Sequence, residues 1–377
     1  MKRVVYNSFG VWRFYNSSGN LKMFSPITMD ETSLMETDYG FSLCCDDKDN
    51  IFILCQNNKS DIWFVTINGE NTEKRCMLES KTKEGYEKSF NMVDINGWIN
   101  GVYTLNHEGE NVIIHHIINS KSQPEIIGTA EKETPLFVCC KNENLYAFYQ
   151  KGNKIVSKIY KWNDKKWTDE EVICEEENKV IYINACITNN INLVYCSEKK
   201  GKYNVVYATK GYTCELIKNS SAVVKPVGVE KEGVLHVLFE YGGRILESTG
   251  ENKGEVISKP RYSYFGTFEK SDAVEINMPD CEKVYTYGFE TSKGVFRPLL
   301  IKEKEIVAKP KIAEVKTESL KKENTVNPYE EILKMLDKSV EIKILTEISS
   351  RLTLLENAIS KLIKEEEDEN DNNTEIR

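Results

Sequence analysis

A two-stranded hairpin recurs seven times along this chain, and no other feature of the sequence restricts its fold as much. The first strands begin at Val11, Ile51, Val102, Leu145, Ile191, Val234 and Val284, at steps of 40 to 51 residues. Each copy joins two short runs rich in β-branched and aromatic residues, the composition of a pleated, half-buried strand. Six of the seven hairpin turns hold a glycine (Gly19, Gly109, Gly152, Gly201, Gly242 and Gly294), and the second copy has Asn57-Asn58 there. These residue types reach the positive φ of a tight hairpin turn. Such short strands cannot bury both faces alone, so the copies must stack.

The second copy shows the whole unit. Phe41–Cys45, Ile51–Cys55 and Ile62–Ile67 read as strands, and Lys74–Glu79 as a fourth. Asp46–Asn50, Asn57–Ser60 and Asn68-Gly69 are the turns between them. Four short strands at a period near 45 residues resemble the repeat of β-propeller proteins. The resemblance covers residues 1–309 and lies in period and pattern, not in specific motifs. It implies an all-β, seven-bladed β-propeller of four-stranded antiparallel blades. The short first copy leaves six or eight blades open, and an open β-solenoid or two β-sandwiches are the alternative architectures. No repeated Gly-His to Trp-Asp pattern occurs, and Gly242-Gly243 does not recur as kelch repeats require. The Ser-x-Asp-x-Gly-x-Thr-Trp turn of sialidase-like propellers is missing. Ser60-Asp61-Ile62-Trp63 is a faint echo in which Asp61 reads as the end of a hairpin turn. No functional residue carries over from any propeller family.

After Ile301 the pattern changes. Residues 310–327 form a charged linker, and Asn327-Pro328 marks a helix start with Glu330 and Glu331 in its first turn. The expected helix spans 328–367. Leu345, Ile348, Leu352, Leu355, Ile359 and Leu362 alternate at spacings of 3 and 4, a seam of nearly three heptads. This predicts a coiled coil for self-association, with a helix docked back on the propeller as the alternative. Residues 368–377 read as an acidic, disordered end. Removing 328–377 is expected to lower the native mass in light scattering. An unchanged mass would refute the seam.

The net charge of −9 and a pI near 5.3 argue against a nucleic-acid partner, which needs a basic surface. No run of 18 apolar residues suggests a membrane span. Met1 to Asn7 lacks the apolar core of a secretory signal, so a cytoplasmic location is expected, with export by another route left open. Heavy use of Lys, Asn, Ile and Glu fits a low-GC bacterial genome. The eleven cysteines contain no Cys-x-x-Cys. Cys44-Cys45, Cys139-Cys140 and Cys186 fall at matching repeat positions and read as small buried fillers near a ring axis. The four histidines, His107, His115, His116 and His236, lack metal-ligand spacing. Glycine-rich phosphate loops are missing, so no cofactor and no metal are expected.

The leading functional expectation is a non-catalytic protein-interaction scaffold or adaptor, multivalent through the coiled coil. Its candidate contacts are turn residues: Asn57, Asn58, Lys59, His107, Glu108, Lys151, Lys199, Lys200 and Tyr241. The alternative is a glycan-binding module or divergent glycan-active enzyme, with Trp98, Trp162 and Trp167 available to stack on sugars. A third reading is a structural component of a larger assembly.

Overall fold

The computed structural model describes residues 2–300 apart from 82–85, 108–109, 132, 252–260, 265–269, 280–281 and 291–295. The chain divides into two units, 1–312 and 313–377, and the described residues all lie in the first. The predicted linker, helix and seam therefore fall outside the described residues. Among the described residues no helix is long and apolar enough to cross a membrane.

Alternating apolar runs and polar turns fold as antiparallel meanders. Blade 1 comprises β1 (Lys2–Asn7), β2 (Gly10–Ser17), β3 (Asn20–Phe24) and β4 (Glu31–Glu36). Blade 2 holds β5 (Phe41–Cys45), β6 (Ile51–Gln56), β7 (Ile62–Asn68) and β8 (Asn71–Leu78). In blade 3 follow β9 (Phe90–Ile95), β10 (Trp98–His107), β11 (Glu110–Ile117) and β12 (Glu125–Thr129). Blade 4 has β13 (Phe137–Lys141), β14 (Asn144–Lys151), β15 (Lys154–Lys161), and β16 (Lys166–Trp167) and β17 (Glu171–Glu175), which share the outer position. Blade 5 runs through β18 (Lys179–Ile187), β19 (Ile191–Lys199), β20 (Lys202–Thr209) and β21 (Tyr212–Ser220). Blade 6 has β22 (Val227–Lys231), β23 (Val234–Tyr241), β24 (Arg244–Glu251) and β25 (Arg261–Tyr264). The chain then forms β26 (Lys270–Asn277), β27 (Val284–Glu290) and β28 (Phe296–Pro298).

The first strand of each blade faces the axis, since β5 adjoins β9, β9 adjoins β13, β13 adjoins β18 and β18 adjoins β22. Neighbouring inner strands are clipped by side chains. Ser42 Oγ accepts the Met92 N–H (3.0 Å), Asn91 Oδ1 that of Val138 (3.1 Å) and Asn184 Oδ1 that of Gly228 (3.0 Å). A second clip uses glutamine. Gln56 donates to the Tyr86 carbonyl (2.8 Å) and accepts from the Lys88 N–H (3.0 Å). Gln150 likewise donates to the Asn178 carbonyl (2.8 Å) and accepts from the Val180 N–H (2.8 Å). Both amides sit at the end of a blade's second strand and hold the backbone leading into the next blade. Being buried and paired on both sides, they satisfy connections that would otherwise cost desolvation.

The cores lie between blades. Trp12, Phe14 and Leu21 pack with Leu43, Ile51 and Ile53 across blades 1 and 2, and Leu54, Met92 and Ile99 join blades 2 and 3. A fully buried side chain of this size contributes about 1.5–3 kcal/mol. Of the cysteines expected as buried fillers, Cys140 and Cys186 are only half-buried. Cys44, Cys45 and Cys139 are buried, and burial pushes the Cys140 and Cys186 thiols up to about 12.

The expected seven blades are not formed. Among the described residues the strands make six sheets, because the seventh hairpin does not stand as a blade. Its β26 pairs in parallel with β1, from Lys2 opposite Val274 to Val5 opposite Asn277, giving one sheet in the order β28-β27-β26-β1-β2-β3-β4. The hairpin reaches into the ring. The Tyr285 ring meets the edge of Phe137 in blade 4 (centroids 5.0 Å apart), and Tyr287 donates to the Lys225 carbonyl ahead of blade 6 (2.8 Å). Lys283 donates to the Leu43 carbonyl in blade 2 (2.5 Å), and Glu282 accepts from Lys141 of blade 4 (3.0 Å). The physical cause is the open edge of β1. An unpaired inner edge is a template for strand addition, and Ala273, Tyr285 and Tyr287 supply apolar surface for the centre.

Of the six expected turn glycines, Gly19, Gly152, Gly201 and Gly242 take positive φ, and Gly109 and Gly294 lie outside the described residues. Asn96-Gly97 takes φ of 52° and 80°, a primed hairpin turn, and Lys200-Gly201 takes 51° and 72°. In blade 2, however, positive φ falls on Ser60 (69°) and not on Asn57-Asn58. Asn57 instead folds the turn through its side chain, accepting the N–H groups of Lys59 (3.0 Å) and Asp61 (2.9 Å).

Candidate functional site

The second turn of each blade and the connections between blades share one end of the ring. On this end a cleft of about 250 Å³ opens beside blade 3. One wall is the connection from β8 to β9, with Tyr86 and Ser89. The floor is the end of β10 with Thr104, and the opposite wall is the connection from β12 to β13 with Thr134. Thr104 is 3% exposed, and its Oγ1 accepts the Ser89 N–H at 3.0 Å, which leaves its own O–H to donate. The Tyr86 hydroxyl accepts the Asn106 N–H, so its proton also remains available. Burial holds the Tyr86 phenol above its ordinary range, with that N–H opposing. The phenol is therefore a neutral donor at physiological pH.

Tyr86 is placed by blade 2. Its carbonyl takes the Gln56 amide, and the Lys88 ammonium lies 4.5 Å from its ring centroid. Lys88 is itself 4% exposed, donates to the Ser60 carbonyl (3.0 Å), and is pushed down to about 8 by burial, with Asp61 opposing. The cleft thus offers hydroxyl donors beside an aromatic ring, with Glu110 and Asn111 adding acceptors at the rim. Among the described residues no group of three Cys, His, Asp or Glu is arranged to hold a metal ion.

The predicted contact residues share this end of the ring but do not form one site. Those that are described sit on or beside the hairpin tips of five different blades. Asn57 is spent on its own turn, and Asn58 Oδ1 accepts the Asp38 N–H (3.1 Å), tying blade 2 to the connection before it. Lys151 pairs with Glu170 at 2.7 Å. Lys59, His107, Lys199 and Lys200 are exposed, and Tyr241 is 40% exposed. Glu108 and the seam from Leu345 to Leu362 lie outside the described residues. Asp61 ends its turn as expected, accepting the Ser80 N–H (2.9 Å) and the Asn57 amide (3.0 Å), which holds its carboxyl below the ordinary value.

The tryptophans proposed for sugar stacking divide. Trp162 is buried with Lys165 2.9 Å from its ring centroid. Trp167 packs on Tyr160 and donates its indole N–H to His115 Nδ1 at 3.2 Å. Trp98 is 43% exposed at the start of β10, at the other end of the ring. The residues of the cleft were missed because they come from three separate stretches. A signal that could have led to them is Gln56, whose counterpart Gln150 stands near the same strand end two blades later.

No protein-family model matches the chain, and no curated protein matches it. Solved structures similar to this chain include lectins. The Aleuria aurantia lectin, described as a six-bladed β-propeller with a novel fucose recognition mode, is 12% identical, with a TM-score of 0.41 over 68% of this chain and 89% of that one. The lectin SapL1 in complex with α-methyl fucoside is 10% identical, TM-score 0.44, over 70% and 96%. The lectin BP39L from Burkholderia pseudomallei is 7% identical, TM-score 0.45, over 67% and 80%.

Proposed function

We propose that this chain is a non-catalytic carbohydrate-binding propeller and that the blade 3 cleft seats a sugar ring. The observation that supports the reading is the pairing, in one cleft, of the available Thr104 and Tyr86 hydroxyl protons with an aromatic wall. Sugars present a ring of hydroxyls that both donate and accept, and an apolar C–H face that lies against an aromatic ring. The cleft is just under the ~300–1,000 Å³ typical for drug-sized ligands, a size for one ring and not for a peptide segment. The protein-scaffold expectation lacks this kind of support, because its candidate residues do not converge.

The test is a titration of a monosaccharide panel that includes fucose, read by NMR shifts and calorimetry. Thr104→Val keeps the shape and removes the hydroxyl. It is expected to weaken the binding sugar about tenfold, the value of one hydrogen bond at the upper end of its range. Tyr86→Ala is expected to abolish detectable binding. A panel with no binder, or equal affinity in wild type and both variants, would overturn the assignment.

A further inference from the structure

Lys88 is a buried charge that stands behind the sugar cleft and not in it. It lines no part of the cleft, yet its ammonium lies 4.5 Å from the centroid of the Tyr86 ring that forms the wall. At 4% exposed, that ammonium makes one hydrogen bond among the described residues, to the Ser60 carbonyl on the second turn of blade 2 (3.0 Å). Its other N–H donors are left for the ring face, whose quadrupole attracts a cation most strongly where water is excluded. The Tyr86 carbonyl is held by the Gln56 amide (2.8 Å), and Gln56 also accepts the Lys88 N–H (3.0 Å). The backbone on both sides of Glu87 is thereby fixed to blade 2. The posture of the ring is left to its own hydroxyl, which accepts from Asn106, and to the ammonium behind it.

Few charged groups surround Lys88. Asp61 closes the same turn and favours the ammonium, but its oxygens are spent on the Ser80 N–H (2.9 Å) and the Asn57 amide (3.0 Å). Lys59, exposed on that turn, also draws on Asp61. Glu87, the next residue in the chain, accepts the Gly40 N–H (3.2 Å). Burial outweighs Asp61, and the ammonium is pushed down to about 8. A wall that needed only stiffness would be better backed by an apolar side chain, because a buried charge with few partners is costly. What a buried ammonium adds is a grip on the ring that exists only while the proton is on.

We propose that Lys88 is a positioning residue, whose charge holds the Tyr86 ring in the cleft wall and thereby sets the affinity for a sugar. The proposal rests on the sugar reading of the cleft, and its test has two arms on the full chain. The first arm uses no sugar. The Tyr86 ring signals, identified in the NMR spectrum by their loss in Tyr86→Phe, are followed from about pH 7 to about pH 9. They are expected to move with the Lys88 titration, near 8. The phenol is held above its ordinary value of 10 by burial and titrates outside this window. Lys88→Arg keeps its charge throughout, so its Tyr86 signals are expected to stay still. The second arm measures the affinity of the sugar found in the panel. Across the same window it is expected to fall about fivefold in wild type, to stay constant in Lys88→Arg, and to be low throughout in Lys88→Met. The wild-type titrations decide the matter even where a variant fails to fold. Tyr86 signals that stay still in wild type, or a sugar affinity with the same pH profile in wild type and Lys88→Arg, overturn the role of Lys88 and leave the sugar reading standing. A panel with no binder overturns the sugar reading and the affinity role with it, while a titrating Tyr86 still upholds the coupling of charge to ring.

Discussion

Glu275→Ala is expected to cost about 3–5 kcal/mol of stability in a urea melt, the range for breaking a buried ion pair from one side. Glu275 is 2% exposed and accepts from Lys283 Nζ (2.7 Å), Arg3 Nε (3.1 Å) and Asn277 Nδ2 (3.2 Å). Burial alone would raise its carboxyl. Lys283 and Arg3 outweigh burial and hold it below its ordinary value. Removing the carboxylate leaves two cations behind, with side chains 7% and 14% exposed, and no other carboxylate paired with them among the described residues. Arg3 lies on β1, Glu275 on β26 and Lys283 just before β27, so the triad joins the N-terminal blade to the hairpin within the ring. The large cost comes from orphaning charge. Glu275→Leu combined with Lys283→Met is therefore expected to recover part of it. A single alanine variant within 1 kcal/mol of wild type would mean that the triad is not a lock.

Much of this fold is legible in the sequence, and the blade count is not. The expected strands Phe41–Cys45, Ile51–Cys55 and Ile62–Ile67 lie within β5, β6 and β7, because alternation and turn residues are local signals. Periodicity counts hairpins. Whether a hairpin becomes a blade depends on which edge it meets. The fate of β26 is set by β1 at the far end of the ring sequence, and no local pattern reports that pairing. The same limit applies to the sites. Asn57 and Lys199 both look like contact residues in a turn, yet one builds its turn and the other projects from it. Thr104 sits in an ordinary strand position, and its interest arises from a hydroxyl proton left available after assembly.

A second large effect is expected from pH. Stability should fall as pH drops from about 6.5 to about 4, with the decline reduced in His115→Gln. His115 is 3% exposed, between Tyr160 and Trp167. The Trp167 indole N–H donates to Nδ1 (3.2 Å), so the ring proton sits on Nε2 and goes to Asn100 Oδ1 (3.0 Å). Protonation would set a second N–H against the indole N–H. Burial first, and the neighbouring His116 second, push His115 down from 6.5 to about 4. A group lowered on folding favours its neutral form in the native state. Its contribution is complete above the unfolded value of 6.5 and is lost as pH falls through the folded value near 4. The full loss is on the order of 3 kcal/mol. Glu125 lies 3.5 Å from Nδ1 but is 55% exposed, and solvent screens much of its pull toward protonation. His116, also lowered by burial, adds a smaller share to the same window, and a His116→Gln variant measures it. Glu275 loses its contribution only below its unfolded value of 4.5, which separates the two effects along the pH axis over most of the histidine window. Urea midpoints at pH 7 and 5 are expected to differ markedly in wild type and much less in His115→Gln. Equal shifts in both proteins would place the acid sensitivity elsewhere.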